Sequence, residues 1–114
     1  MSDAHTRLTD IYAAFNRRDI PAILTELTPG VRWPKGFEGG HVRGREEVSA
    51  YWTRQWSEID PTVEPEAFAT EPGGRVAVTV HQTVRDLAGA TLVDETVTHV
   101  YRFDDGLVDE MEIR

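Results

Sequence analysis

The sequence predicts an α+β domain in which three helices come first and an antiparallel sheet follows. Apolar residues recur every three or four positions in the first half of the chain. From about Pro61 onward they alternate with polar residues, as in strands. The 114 residues contain no linker, repeat or low-complexity segment, and this length is enough for one core. We therefore predict a single domain over residues 1–114.

The first half predicts helices near residues 4–17, 20–28 and 44–57. Apolar residues with helical spacing in the first helix are Leu8, Ile11, Tyr12 and Phe15. Those in the second helix are Ile20, Ile23, Leu24 and Leu27. A Pro-Gly pair ends the second helix. Glu46 and Glu47 favour the start of the third, because a helix N-terminus carries partial positive charge.

The second half predicts long strands near residues 62–70, 75–87, 91–103 and 107–113. One face of the third strand carries a histidine among apolar and aromatic residues, namely Val93, Val97, His99, Tyr101 and Phe103. Thr98 and Val100 then face away. In the last strand Asp109 is expected on the face of Met111, at a solvated rim. The sheet therefore has one apolar face, which the helices must cover.

Four segments in this order resemble motifs of the NTF2-like superfamily, and its SnoaL-like and ketosteroid-isomerase-like branches are the most similar. The segments are Tyr12-Ala-Ala-Phe-Asn-Arg-Arg-Asp19, Val31-Arg-Trp33, Gly44-Arg-Glu-Glu-Val-Ser-Ala-Tyr-Trp52 and Val100-Tyr-Arg-Phe-Asp-Asp-Gly106. The resemblance implies a cone-shaped, curved antiparallel sheet, wrapped around three N-terminal helices as in a cystatin-like α+β barrel. It also implies a largely apolar pocket open at one end.

The resemblance further implies a homodimer, because members of the superfamily commonly pair through the convex face of the sheet. On this chain that face is expected to carry Thr79, His81, Thr83, Val100 and Arg102. Symmetric pairing of one patch is also the commonest form of oligomer.

Ketosteroid isomerase combines an Asp base with an oxyanion hole of Tyr and protonated Asp. When that family is laid on this chain, the base falls at Pro34 and Lys35, where there is no carboxylate. The tyrosine falls at Ile11, and the protonated acid falls at His99. Steroid isomerisation by that mechanism is therefore not expected.

His99 is the candidate catalytic residue. An imidazole on an apolar strand face can transfer protons near neutral pH, and burial would lower its pKa and favour the neutral form. The alternative is a structural histidine that is hydrogen-bonded to Tyr12, Trp33 or a backbone carbonyl. Glu95 shares the face of His99 but lies about 13 Å along the strand, too far for direct contact. Lys35 could reach an anionic ligand from its loop.

Aromatic and apolar side chains are expected to line a pocket for a small, flat, apolar ligand. They are Tyr12, Phe15, Trp33, Phe37, Trp52, Trp56, Val97, Tyr101 and Met111. Two functions remain open. The chain is a cofactor-independent acid/base enzyme (isomerase, cyclase or dehydratase) acting on an apolar cyclic substrate, or it is a non-catalytic ligand-binding or dimerisation module with a structural His99.

Composition narrows the partners. The net charge of −8 repels phosphate backbones, so nucleic acid is not expected. There is no cysteine, no phosphate-binding loop and no spaced set of metal ligands, so we expect neither metal nor cofactor. No apolar run is long enough to span a membrane, and no leader is evident, so we expect a cytoplasmic protein without membrane association.

Overall fold

The computed structural model describes residues 3–36 and 39–114. Within them lie three helices, α1 Asp3–Asn16, α2 Ile20–Leu24 and α3 Arg45–Trp56. The strands are β1 Leu27–Pro34, β2 His41–Arg43, β3 Ile59–Thr70, β4 Val76–Asp86, β5 Thr91–Asp104 and β6 Leu107–Ile113. They form one sheet in the order β2-β1-β6-β5-β4-β3. The predicted α+β class is confirmed, as are the long strands, within three residues at each end.

The sheet is mixed, which corrects the prediction of a fully antiparallel one. The four long strands pair antiparallel as predicted, but β1 runs parallel to β6. This pairing also shortens the second helix, which was predicted to reach residue 28. Leu27 pairs with Val108 in the ladder, and the amide of Val108 donates to the Glu26 carbonyl at 2.9 Å. Hydrogen bonding to a neighbouring strand thus overrides the helical spacing of Leu27.

A β-bulge in β6 changes which side chains face the core. Arg102 pairs with Glu110 while Phe103 pairs with Val108, so Asp109 is the extra residue. Val108 is consequently buried in the core, which strict alternation did not predict. Asp109 turns out of the core and accepts hydrogen bonds from Thr28 Oγ1 at 2.8 Å and from Arg102 at 2.7 Å. The prediction that Asp109 shares the face of Met111 is therefore wrong.

The helices cover the concave face of the curved sheet, and together they form the core. Alternation places Val76, Val78 and Val80 of β4 inside it. On β5, His99 and Tyr101 pair with Val78 and Val76 and lie on the same inner face. Among the described residues, no helix is long and apolar enough to cross a membrane.

Asn16 joins the end of α1 to the edge strand β3. Its side-chain amide donates to the Val63 carbonyl at 2.7 Å, and its side-chain oxygen accepts from the Val63 amide at 2.9 Å. Val63 is buried, and β3 ends the sheet, so these backbone groups face away from the neighbouring strand β4. The Asn16 amide thus takes the place of a further strand at this point.

Asn16→Ala is expected to lower the free energy of unfolding by about 2 kcal/mol, because it leaves a buried amide and carbonyl unpaired. Urea unfolding followed by circular dichroism measures this change. Thr9→Ala is the matched control on the same helix, since the Thr9 hydroxyl donates only to the His5 carbonyl of its own helix. Equal losses in the two variants would contradict a special role for Asn16.

Candidate functional site

A cavity of about 220 Å³ lies between α1, α3 and the concave face of the sheet. Most of the side chains around it are apolar or aromatic. Of the residues predicted from the sequence, the structure brings together around this cavity Tyr12, Phe15, Trp33, Trp52, Val97, His99, Tyr101 and Met111. The structure thus places these residues around one cavity. That they bind a ligand stays a prediction.

One predicted pocket residue that the structure describes, Trp56, is not among those that line the cavity. Trp56 lies behind Trp52, with the two rings stacked at 5.9 Å between centroids, and it contacts the edge of Phe15. The Arg18 guanidinium lies over the Trp56 ring, 5.0 Å from its centroid. Trp56 therefore supports the cavity wall. Phe37 lies outside the described residues.

His99 is held by a chain of hydrogen bonds between two elements. Its Nδ1 lies 2.9 Å from the hydroxyl of Tyr12 on α1, and the hydroxyl of Tyr101 on β5 donates to Tyr12 at 2.8 Å. All three side chains are at least 95% buried. Tyr12 was one of the partners expected for a structural histidine. The observed contact therefore agrees with the alternative in which His99 is structural.

The direction of these bonds determines which imidazole nitrogen carries the proton. Because the Tyr101 hydroxyl donates to Tyr12, the proton of Tyr12 is free to be donated to His99 Nδ1. A neutral His99 then carries its hydrogen on Nε2. In the reverse arrangement, His99 Nδ1–H would donate to Tyr12 and the Tyr12 hydroxyl to Tyr101. The same two hydrogen bonds would form, but the Tyr101 hydroxyl proton would have no partner. The first arrangement leaves fewer unpaired groups.

His99 Nε2 is buried and has no hydrogen-bond partner among residues 3–36 and 39–114. A buried donor without a partner costs free energy, so native proteins rarely retain one without a reason. Burial lowers the pKa of His99 to about 4, which keeps the ring neutral at pH 7. Burial also raises the pKa of Tyr12 and of Tyr101, so both remain protonated. The site therefore holds a neutral, buried imidazole in the wall of an apolar cavity.

Polar residues at the rim were not predicted as ligand contacts. Gln55 of α3, Gln82 of β4 and Glu95 of β5 all line the cavity. Gln82 donates to Glu95 at 3.3 Å, and Gln55 donates to the Tyr51 hydroxyl at 2.8 Å. The signal for Gln82 was present in the sequence, because alternation places it on the face of Val80 and Val84.

Lys35, which was considered for an anionic ligand, is not among the residues that line the cavity. Within the described part of the chain, no group of three or more His, Cys, Asp or Glu side chains could hold a metal ion. From the described residues, the cavity thus offers hydrogen bonding, the Glu95 carboxylate at its rim and aromatic contact.

The buried His99 is expected to make stability depend on pH. In the unfolded chain the pKa of His99 is about 6.5, so the unfolded state binds a proton as the pH falls through this value. In the native state His99 stays unprotonated down to about pH 4. Stability contributed by His99 is therefore complete above pH 6.5 and is lost below it. The loss reaches about 3 kcal/mol at pH 4.

The measurement is urea unfolding at pH 7 and pH 4 of the wild type and of His99→Phe, which keeps a flat ring in an apolar site. The free energy of unfolding of the wild type should fall by about 3 kcal/mol more than that of the variant. Carboxylates titrate in both proteins and cancel in this difference. Parallel losses in the two proteins would show that His99 titrates normally.

Comparison with known proteins agrees with this architecture. Residues 8–111 match the model of the SnoaL-like domain. An NTF2-like protein of unknown function from Burkholderia pseudomallei has 31% sequence identity and a TM-score of 0.86, with 100% of this chain and 91% of that chain covered. TerC, crystallised with polyporic acid, has 28% identity and a TM-score of 0.86, with 99% and 91% covered.

A more distant structural neighbour is RV0760c from Mycobacterium tuberculosis, in complex with estradiol-17beta-hemisuccinate. It has 18% identity and a TM-score of 0.84, with 99% of this chain and 93% of that chain covered, so it supports the fold alone. No curated protein matches the chain. The family match spans most of the sequence, and the resemblance to NTF2-like proteins is confirmed. The chain belongs to the SnoaL-like domain family.

Proposed function

We propose that the cavity binds a small, largely apolar cyclic molecule and that Nε2–H of His99 donates a hydrogen bond to a carbonyl oxygen of that molecule. The observation that carries this proposal is the unpartnered Nε2 of a neutral, buried imidazole at an aromatic cavity. A carbonyl supplies the missing acceptor, while flat rings fill the space between Trp33, Trp52 and Tyr101.

The same hydrogen bond supports acid/base catalysis. A donor that is hydrogen-bonded to a carbonyl oxygen stabilises the negative charge that develops there when a neighbouring carbon gives its proton to a water molecule. With a pKa of about 4, His99 is a weak base, so its role in such a reaction is that of the donor. The proposed activity is therefore an isomerisation, cyclisation or dehydration that passes through an enolate or a related anion.

A relative's ligand offers a starting probe. TerC is 28% identical to this chain and was crystallised with polyporic acid. We propose that the present cavity accepts molecules of related shape and oxygen content. The second candidate is a non-catalytic binding role for the same cavity. The Tyr12–His99 hydrogen bond favours it, because a structural contact accounts for this histidine without any reaction.

Polyporic acid is expected to bind to the wild type, and His99→Phe is expected to weaken binding by about tenfold through the loss of one hydrogen bond to a buried donor. Isothermal titration calorimetry measures both affinities. His81→Phe is the control, because His81 lies on the other face of the sheet and hydrogen-bonds to Asp94 at 2.5 Å. Mass spectrometry of the incubated ligand separates the two candidates: conversion favours the enzyme, and unchanged ligand favours the binding protein. Equal affinity in wild type and His99→Phe would refute the His99 contact.

We also propose that the convex face of the sheet pairs with a second copy of the chain. The three helices pack on the concave side, and the convex face presents short polar and apolar side chains, including the half-buried Thr79 and Thr98. Val100 also points to this face but is only 2% exposed, so the surface open to a partner is that of its neighbours.

Light scattering at micromolar concentration is expected to give twice the mass of one chain. Thr98→Glu should yield monomers, because it buries two like charges close together in a symmetric interface. Thr53→Glu on the exposed side of α3 is the control and should remain dimeric. A wild-type monomer would rule out the pairing.

A further inference from the structure

The cavity has a second polar group at the end opposite His99. Gln82 and Glu95 face each other directly across β4 and β5, and both side chains line the cavity. The Gln82 amide donates to Glu95 Oε2 at 3.3 Å, which orients the carboxylate. Gln55 completes this rim from α3.

An apolar stretch separates the two polar groups. Glu95, Val97 and His99 alternate along one face of β5, so Val97 lies between the carboxylate and the imidazole. Four residues of strand span about 13 Å. With a hydrogen bond of about 2.8 Å at each end, about 7 Å remains between the two ligand oxygens. A fused bicyclic skeleton bridges such a gap.

The chemistry of the two ends differs. The buried Nε2–H at the inner end requires an acceptor. The Glu95 carboxylate at the outer end is an acceptor itself and requires a donor. It also repels an acidic group placed directly against it. A basic group would satisfy Glu95 but would lose its hydration on entering an apolar cavity.

We propose that the ligand is an elongated hydroxyketone, whose carbonyl accepts from His99 and whose far hydroxyl donates to Glu95. This inference rests on the proposed function, because it takes the His99 contact as one of its two ends. It adds Glu95 as a residue that determines specificity, with Gln82 as the side chain that positions it.

A matched pair of probes tests the second contact: 1-tetralone carries the carbonyl alone, and 6-hydroxy-1-tetralone adds a hydroxyl at the far end of the same skeleton. Titration followed by NMR of the protein amides gives both affinities. The hydroxylated probe is expected to bind about tenfold more tightly to the wild type, as for a hydrogen bond to a charged acceptor. Glu95→Ala should make the two affinities equal.

Two further variants complete the design. Glu95→Gln keeps an acceptor oxygen without the charge, so the preference should fall to about threefold. Glu64→Ala removes a carboxylate from the opposite face of the sheet, on β3, where Glu64 pairs with His81, and should keep the tenfold preference. Glu95 and Glu64 are both exposed, so these variants are expected to fold.

Each result decides a different claim. Equal binding of the two probes to the wild type would overturn the Glu95 contact and leave the His99 contact standing. An unchanged preference in Glu95→Ala would assign the hydroxyl to another residue and would also overturn it. Absence of binding by both probes, at concentrations up to their solubility, would overturn both the proposed function and the inference built on it.

Discussion

The structure depends on the burial of one face of a curved sheet beneath helices that are too short to fill it. Leu8 and Ile11 of α1 and Val48 of α3 close most of that face and form the core. The remaining space, about 220 Å³, is bounded by large rings that cannot collapse into it without leaving their rotamers. The cavity is thus a consequence of how the core is built, and the proposed ligand would add the contacts that the walls lack.

Burial of polar atoms is the second constraint on the site. Tyr101, Tyr12 and His99 satisfy one another in a chain that ties α1 to β5, so the histidine ring has one orientation. The same desolvation lowers the His99 pKa to about 4 and leaves Nε2 without a partner. The hydrogen bonds thus fix the orientation of the ring, while burial sets its protonation state and leaves Nε2 open. Together they make His99 a poor base.

Membership of a family defines the fold more closely than the reaction. The chain shares its architecture with NTF2-like proteins. In the alignment expected from the sequence, the base of ketosteroid isomerase falls at Pro34 and Lys35, and its tyrosine falls at Ile11. Function must therefore follow from the groups that this cavity does contain, an inner N–H donor and an outer carboxylate. Under the proposal, their separation along β5 limits both the length and the polarity of the ligand.

The sequence by itself determined the α+β class, the long strands and the face that carries His99, because periodicity of two or 3.6 residues reports which side chains share a face. Only the tertiary structure decided the rest. The parallel pairing of β1 with β6 and the bulge at Asp109 depend on hydrogen bonds between segments far apart in the chain. The same holds for the Tyr12–His99 contact, which joins residues separated by 87 positions, and for the displacement of Trp56 behind Trp52. Local sequence patterns indicate on which face a side chain lies. Which residues contact one another across the fold depends on tertiary packing, because neighbouring side chains compete for the same space.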